Sequence, residues 1–471
     1  MCISKIIATE VTESTESTES TESTEKKRTS NLSVFSVANK LLLLMALVLP
    51  ISASAGLPIQ HWQSASGARV YFVENHDLPI LDVSVAFPAG SSFDSVDKAG
   101  LAGLTQGLLA LGADGMTDDQ ISSRFADLGA VPGGDFDFDR AGMKLRTLSS
   151  ERERTGAVAL FAALLQAPDF SAAVLEREKA RAVAGLREAQ TRPESISDKA
   201  FAQALFSNHP YALAELVEPE ILEKITRDDL VRFYRSHYTR SSAVVAIIGD
   251  ITRAQAEQLV EQLTAKLPDG PSPLPIPPVP LPQQAVEQRI AHPAAQSHIL
   301  LGYPGIKRSD PDYFPLYVGN YILGGGGFVS RLTEEVREKR GLAYSVYSYF
   351  MPMREAGPFQ IGLQTKREQT DLALDVVRDT LGKFVKAGPS AKELKAAKDN
   401  LTGGFALRLD SNGKVLEYLG IIGFYGLPLT WLDDYVSQVN KVTVAKVRDA
   451  FQRRIKTDRM VTVVVGGGTP E

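Results

Sequence analysis

The sequence ITRDDLVRFYRSHYTRSSAVVAIIG, from Ile225 to Gly249, is matched further along the chain by VTVAKVRDAFQRRIKTDRMVTVVVG, from Val442 to Gly466. The two copies are related by a constant offset of 217 residues over 25 positions without a gap. Each has a threonine suited to a helix N-cap, then helical apolar spacing, then a β-rich run that ends at glycine. This repeat indicates internal duplication, so we expect two related halves.

The surroundings of the two copies also correspond. A strand pattern at Leu81 to Phe87 and another at His298 to Tyr303 each lead through a loop to a helix, beginning near Ala99 or Tyr313. Further helices are predicted at residues 174–190, 310–322 and 369–387. Strands alternating with long helices predict an α/β (α+β) fold, with a mixed sheet in each half and helices packed on one face.

A proline-rich connector separates the halves. Prolines recur from Pro268 to Pro282, and because proline lacks an amide hydrogen and fixes φ, they exclude a helix or a central strand. We therefore divide the chain into a leader with a signal peptide (1–55), an N-terminal half (56–267), a linker (268–289) and a C-terminal half (290–471).

The first 55 residues have the composition of a targeting segment. Thr12 to Glu25 repeats Thr-Glu-Ser and carries no apolar surface, so it is predicted to be disordered. Lys40, the apolar run Leu41 to Ile51 and a small-residue site predict a secretory signal cleaved after Ala55. The alternative is an uncleaved membrane anchor. Since Cys2 is the one cysteine, the mature chain would have no disulfide, and we expect a periplasmic protein without membrane attachment.

Charge and composition exclude one class of partner. The formal net charge is −5, with 44% hydrophobic and 23% charged residues, which is normal for a soluble globular protein. Apart from residues 26–28 there is no block of basic residues, so the sequence has no electrostatic footprint for nucleic acid.

Common catalytic motifs are missing. No two of the histidines lie four residues apart, as a helical zinc pair requires: His61, His76, His209, His237, His292 and His298. A Gly-x-Ser-x-Gly elbow and a Gly-Lys-Ser/Thr phosphate loop are also absent from the sequence.

Residues 98–109 read KAGLAGLTQGLL, with two glycines four residues apart. This segment resembles the opening helix of the insulinase/pitrilysin family of inverted zinc-motif peptidases, where Gly-Leu-Ala-His-x-x-Glu-His supplies two zinc ligands and a general base. By that resemblance Gly103 and Gly107 stand at the histidine positions and Gln106 at the position of the base. Glycine has no ligand atom, and glutamine cannot accept a proton from water at neutral pH.

The resemblance also places the third zinc ligand of the family. There it is a glutamate seven residues after another glutamate, in a helix that ends at a proline. Here Glu178 is followed seven residues later by Gly185, and Pro193 comes eight residues after that. All three ligand positions are therefore glycine, and we expect this chain to hold no zinc at this site.

The second half retains a different part of the family pattern. The retained pattern begins with four consecutive glycines, Gly324, Gly325, Gly326 and Gly327. Ser-Arg-Leu follows at 330–332, and then REKRGLAY from Arg337 to Tyr344. This resembles the family's C-terminal motif, in which an arginine and a tyrosine seven residues apart assist the active site. Asn-His-Pro-Tyr at 208–211 resembles a structural turn of the same family, and the resemblance covers residues 57–467.

The resemblance implies a role for each retained residue. Tyr344 would donate a hydrogen bond to the oxyanion of a peptide undergoing hydrolysis, and Arg337 would bind a substrate carbonyl or carboxylate. The glycines at 324–327 would let a peptide approach the backbone closely. The structural alternatives are a surface ion pair for Arg337, a packed strand position for Tyr344 and a merely flexible connection for the glycines.

Two classes of function remain open. In the first, this chain is a non-catalytic subunit of a heterodimeric zinc metallopeptidase with a clamshell-type fold. A catalytic subunit of the same family, with an intact His-x-x-Glu-His motif, would hold the zinc, while this chain holds no cofactor and binds unfolded peptides as added strands. In the second, it is a peptide-binding or scaffolding protein with no part in hydrolysis. The missing ligands argue against a free-standing active metallopeptidase.

Overall fold

Both copies of the repeated segment form the same helix–strand unit in the computed structural model, which describes residues 57–271 and 273–466. The helices Arg227–His237 and Val444–Arg454 are each capped by a threonine side chain. They lead into the strands Val244–Gly249 and Val461–Val465. Both helices begin and end 217 residues apart, in agreement with the predicted duplication.

The strands of the described residues are named in chain order. They are β1 (Gln60–Gln63), β2 (Arg69–Glu74), β3 (Ile80–Phe87), β4 (Gly112–Ala113), β5 (Met116–Thr117), β6 (Val131–Phe136), β7 (Ala141–Leu148), β8 (Val244–Gly249), β9 (Val286–Ile290), β10 (Gln296–Pro304), β11 (Ala343–Phe350), β12 (Pro358–Lys366) and β13 (Val461–Val465). The strands predicted at 81–87 and 298–303 correspond to β3 and β10.

The helices follow the same convention. They are α1 (Leu101–Leu108), α2 (Asp118–Asp127), α3 (Glu151–Gln166), α4 (Ala172–Ala189), α5 (Pro193–Phe206), α6 (Pro219–Glu223), α7 (Arg227–His237), α8 (Arg253–Thr264), α9 (Tyr313–Asn320), α10 (Thr370–Ala387), α11 (Ala391–Gly403), α12 (Asn412–Tyr425), α13 (Trp431–Asn440) and α14 (Val444–Arg454). The helices predicted at 174–190 and 369–387 agree with α4 and α10 to within two residues.

The two large sheets have the same internal order. The first runs β1-β2-β8-β3-β7-β6, and the second, read from β9, runs β9-β13-β10-β12-β11. Apart from β1, each strand of the first sheet has a counterpart at the same place in the second. β8 pairs in parallel with β2, as β13 does with β9, and the other neighbours are antiparallel. Each half therefore contains a mixed sheet, and the predicted α/β class is confirmed.

One helix from each half packs on the sheet of the other half. α5 lies against β10 and β13, where an added Cβ at Gly302 would be 2.4 Å from the ring of Phe201. α12 lies against β2, β3 and β8, where a Cβ at Gly423 would be 2.6 Å from Tyr71. Val70 and Phe72, the neighbours of Tyr71 in the strand, point to the opposite face and join the core formed with the first half's own helices. The first sheet is thus covered on both faces.

The linker is packed against the protein. Ile276 and Val279 are buried in the same cluster as side chains of α5 and β13. Residues 268–271 and 273–285 contain no helix or strand, as their prolines predict. The predicted linker boundary at residue 289 falls inside β9, because Val286 already pairs with Val461 of β13.

The predicted leader and signal peptide, residues 1–55, lie outside the described residues. Among the residues that the structure describes, no helix is both long and apolar enough to cross a bilayer. The residues from Pro58 onward group by their contacts into one unit that contains both sheets.

Candidate functional site

Helix α1 carries three of the four positions that the family resemblance assigns to zinc chemistry. It starts after Gly100, whose φ of +95° favours glycine. The carboxylate of Asp94 accepts hydrogen bonds from the backbone N–H groups of Gly100 and Ala102, both at 2.8 Å. Burial raises the pKa of Asp94 to about 7, although these two hydrogen bonds act in the opposite direction. The helix is therefore anchored at its N-terminus, and its body lies against β6 and β7.

The side of α1 at positions 103–107 offers no metal ligand. A Cβ added at Gly103 would touch only the ring of Phe136, at 3.6 Å, and a Cβ at Gly107 would have no neighbour within 4 Å. Gln106 turns toward the sheet, where its Nε2 donates a long hydrogen bond of 3.4 Å to the carbonyl oxygen of Gly142. The helix thus presents two bare positions and a neutral amide.

The fourth position, Gly185, lies on the neighbouring helix. α4 contacts α1, and Gly185 is exposed, with nothing within 4 Å of an added Cβ. Within residues 57–271 and 273–466, no group of three or more His, Cys, Asp or Glu side chains is arranged to hold a metal ion. No bulky side chain has replaced the ligands, so the space around Gly107 and Gly185 stays open.

The four glycines of the second half have two different structural roles. A Cβ at Gly324, Gly325 or Gly326 would come within 2.4 to 2.7 Å of a neighbouring atom. Gly324 is buried against Ser348 of β11, which corrects the expectation that its backbone is open to a peptide. Gly327 is exposed with φ of +59° and nothing near its Cβ position. Close packing explains the first three glycines, and the turn explains the fourth.

Two π-helical turns border the glycine run: Tyr321–Gly325 contains its first two glycines, and Thr333–Glu338 follows it. In the second turn the N–H of Lys339 donates to the carbonyl oxygen of Glu334 at 3.0 Å, a five-residue step that widens the helix. π-helical turns occur often at functional sites. Arg337 lies in this second turn.

The structure brings Arg337 and Tyr344 together at the edge strand β11. The guanidinium carbon of Arg337 lies 5.0 Å from the centroid of the Tyr344 ring. Tyr344 is 85% exposed, so it is not a packed strand residue. Glu338 Oε1 lies 3.4 Å from Arg337 Nε, and an exposed ion pair at this distance contributes little.

One member of this site was not predicted from the sequence. Phe328, which is 64% exposed, lies with its ring centroid 4.7 Å from the Arg337 guanidinium carbon. The available signal was an aromatic residue directly after four glycines, where a purely flexible connection would carry polar residues. Arg331, by contrast, belongs to the scaffold, because it binds both carboxylate oxygens of Glu393 at 2.6 and 2.8 Å.

These features define a class of protein: a duplicated, two-sheet peptidase-like chain without side-chain ligands at its metal positions and with a retained arginine–tyrosine pair. Comparison with family models agrees with this class. Residues 69–219 match the family described as Insulinase (Peptidase family M16), and residues 224–401 match the Peptidase M16 inactive domain.

Individual relatives lead to the same family. The crystal structure of a peptidase M16 inactive domain from Pseudomonas fluorescens is 38% identical, has a TM-score of 0.85 and covers 88% of this chain and 100% of that chain. The non-peptidase homolog YmxG of Helicobacter pylori is 28% identical over 434 residues, 90% of this chain and 97% of that protein. A protease structure from Helicobacter pylori shares the fold, with a TM-score of 0.79 at 19% identity and coverage of 87% of this chain and 100% of that chain. The chain belongs to the M16 peptidase family, as an inactive member.

Proposed function

We propose that this chain is the non-catalytic subunit of a two-chain zinc peptidase, in which it binds peptide and completes the active site of a zinc-bearing partner of the same family. The observation that carries the proposal is the contrast between the two halves. Three ligand positions on α1 and α4 are bare glycines, while Arg337 and Tyr344 are held together, with Arg337 partly exposed and Tyr344 exposed. A chain that used neither half for chemistry would have no need to keep this pair in place.

The chemistry of the pair suits peptide hydrolysis in a partner's site. A tyrosine hydroxyl can donate a hydrogen bond to the oxyanion that develops at the attacked carbonyl. An arginine can donate two parallel hydrogen bonds to a carbonyl or carboxylate of the same peptide. Because neither group supplies a metal ligand or a base, both act only when zinc and its activated water come from another chain.

The remaining parts of the proposal follow from this division of labour. The partner would carry an intact His-x-x-Glu-His motif and the zinc, and this chain would carry no cofactor. Unfolded peptides are the expected substrates, since an exposed edge strand such as β11 can pair with an added strand. The signal-like segment at Lys40 to Ala55 supports export of this chain, and we propose a bacterial periplasm as the location of both chains.

The test uses the complex reconstituted from this chain and the zinc-bearing relative that co-purifies with it. We expect Tyr344→Phe to lower kcat for an unstructured peptide by about 10²-fold, as loss of an oxyanion donor does. Arg337→Ala should lower kcat/KM by about tenfold or more, because a charge-assisted contact is lost. Arg340→Ala is the matched control, since Arg340 is exposed three residues further along the chain and, among the described residues, bonds only to Glu335.

Two results would contradict the proposal. Unchanged turnover in Tyr344→Phe and Arg337→Ala, with complex formation intact, would favour a scaffolding role without a share in hydrolysis. One bound zinc per isolated natural chain, removed together with its peptidase activity by a chelator, would show that the chain works alone.

A further inference from the structure

The guanidinium of Arg337 lies within cation–π distance of two aromatic rings. Its central carbon is 4.7 Å from the ring centroid of Phe328 and 5.0 Å from that of Tyr344. Arginine prefers to stack its flat face on aromatic rings, and each contact of this kind is attractive. Two rings on one guanidinium restrict its rotation more than either ring does alone.

The edge of the guanidinium remains available for binding. Nε lies 3.4 Å from Glu338 Oε1, and within residues 57–271 and 273–466 neither terminal nitrogen of Arg337 has a hydrogen-bond partner. An arginine that contacts two aromatic rings, with its terminal N–H groups unused, is preorganised for a planar pair of oxygen acceptors.

The loop that carries Phe328 is built to hold it there. Gly324, Gly325 and Gly326 fit tightly against their neighbours, so the loop cannot shift without losing these contacts. Gly327 turns the chain with φ of +59°, and Phe328 follows at once in the short helical turn Gly327–Val329. Phe328 is 64% exposed, so its ring remains accessible beside Arg337.

We infer that Phe328 is a positioning residue, which together with Tyr344 clamps Arg337 so that its terminal N–H groups meet a peptide oxygen pair edge-on. The inference rests on the proposed function and adds a third residue to the site. The oxygen pair comes either from main-chain carbonyls or from the free C-terminal carboxylate of a peptide, and the chemistry of recognition is the same for both.

The first test concerns the isolated full-length chain. The Arg337 Nε–Hε resonance, assigned as the signal missing from Arg337→Lys, should move downfield in Phe328→Leu, because the ring above the guanidinium is lost. Phe328→Trp should retain the upfield position, since its larger ring keeps the stacking. Val329→Ala is the matched control, because Val329 is 75% exposed in the same loop and its aliphatic side chain has no ring to stack on Arg337. An unchanged signal in Phe328→Leu would overturn the clamp.

The second test concerns the reconstituted complex with a fluorescence-quenched, unstructured peptide. Phe328→Leu should raise KM about three- to tenfold with little change in kcat, and Phe328→Trp should restore it, which a loss of folding could not explain. A several-fold preference for the free-acid peptide over its amide, lost in Phe328→Leu, would identify the carboxylate as acceptor, and equal values would identify main-chain carbonyls.

If Arg337→Ala impairs turnover but Phe328→Leu does not, this inference fails while the proposed function stands. If Arg337→Ala has no effect, the proposed function itself fails.

Discussion

Gly103, Gly107 and Gly185 lie within helices α1 and α4, where glycine is unfavourable for stability. Glycine in a helix interior costs about 0.5–1 kcal/mol relative to alanine, because it loses more backbone freedom on folding. A close packing contact would explain such a glycine, but an added Cβ would have no neighbour within 4 Å at Gly107 or Gly185 and an ordinary contact at Gly103. These positions therefore have space for side chains that the sequence does not provide.

This open space leads to a prediction about metal binding. We expect the triple variant Gly103→His, Gly107→His, Gly185→Glu to bind one zinc ion per chain, because two imidazoles one helical turn apart and a carboxylate from α4 reproduce a three-ligand site. Zinc content measured by mass spectrometry would test this. Zinc should also raise Tm, since the ion binds the folded state and a chelator reverses the effect.

The matched control replaces the same three glycines by alanine. It should bind no zinc, yet be more stable than the natural chain by about 1.5–3 kcal/mol in a chelator, because the helix propensity improves at three positions. If the ligand variant also bound no zinc while remaining folded, α1 and α4 would not be placed as the family resemblance implies.

The identity of these site residues was available from the sequence, but their surroundings were not. The resemblance of residues 98–109 to the family's zinc-binding helix located Gly103, Gln106 and Gly107. Phe328 was missed because its partner Arg337 lies nine residues further on, after a turn and inside a π-helical segment, and no periodicity in the sequence reveals the path of the chain there. Burial of Gly324 against β11 was missed for the same reason.

At the scale of elements, helix α9 is shorter than its sequence pattern predicts. A helix was expected from Asp310 to Ile322, but α9 spans Tyr313–Asn320. The side chain of Asp312 does not cap this helix, because it binds Arg453 and Arg454 instead. At the other end the chain continues as a π-helical turn that Gly324 and its neighbours require. Tertiary contacts set both ends, and they are invisible to local propensity.

The N-terminus of α11 gives a prediction of pH dependence. Glu393 completes the capping box of Ser390 and accepts two hydrogen bonds from Arg331. The Arg331 hydrogen bond is the main cause that lowers the pKa of Glu393 from 4.5 to about 2, with further help from Ser390. Because the folded-state pKa is depressed, this carboxylate stabilises the fold fully above about pH 4.5, and the contribution is lost as the pH falls toward about 2.

Arg331→Met removes the charge and keeps an apolar stem. We expect it to lower the free energy of unfolding by about 1–2 kcal/mol at pH 7, a value reduced for solvent screening because Glu393 is partly exposed. The difference from the natural chain should shrink between about pH 4.5 and pH 2 in urea titrations. Lys395→Met serves as the control, since its pair with Asp399 is exposed on the same helix. A difference that stays constant over this pH range would exclude the Arg331–Glu393 pair as its source.

At the scale of the whole molecule, the exchange of α5 and α12 makes each sheet depend on the other half. The apolar stripe of a helix predicts that it is buried, but it does not predict which sheet it will meet. The structure was therefore needed to find that Phe201 packs on β10 and that Gly423 packs against Tyr71. The internal repeat predicted two similar sheets, and the exchange joins them into one unit.

A buried network connects the same two halves. Asp139, 1% exposed in the loop between β6 and β7, accepts hydrogen bonds from the hydroxyls of Tyr211 and Tyr425, both at 2.9 Å. It also accepts one from the backbone N–H of Arg354 at 2.7 Å. Tyr211 belongs to the His-Pro-Tyr turn of the first half, whereas Tyr425 and Arg354 belong to the second. Burial raises the pKa of Asp139, and three donors offset part of this cost.

Removal of the Asp139 carboxylate should therefore lower the stability of both halves together. We expect Asp139→Ala to lower the free energy of unfolding by about 3–5 kcal/mol, because three buried donors lose their acceptor at once. The two tryptophans report the halves separately, since Trp62 lies in β1 and Trp431 in α13. Urea unfolding followed by fluorescence in Trp62→Phe and Trp431→Phe backgrounds should give coincident transitions, both shifted by Asp139→Ala.

The control is Asp379→Ala, which breaks an exposed pair with Lys383 and should leave both transitions within about 0.5 kcal/mol of the natural chain. Two separate transitions, with only one moved by Asp139→Ala, would show that the halves fold independently despite their exchanged helices.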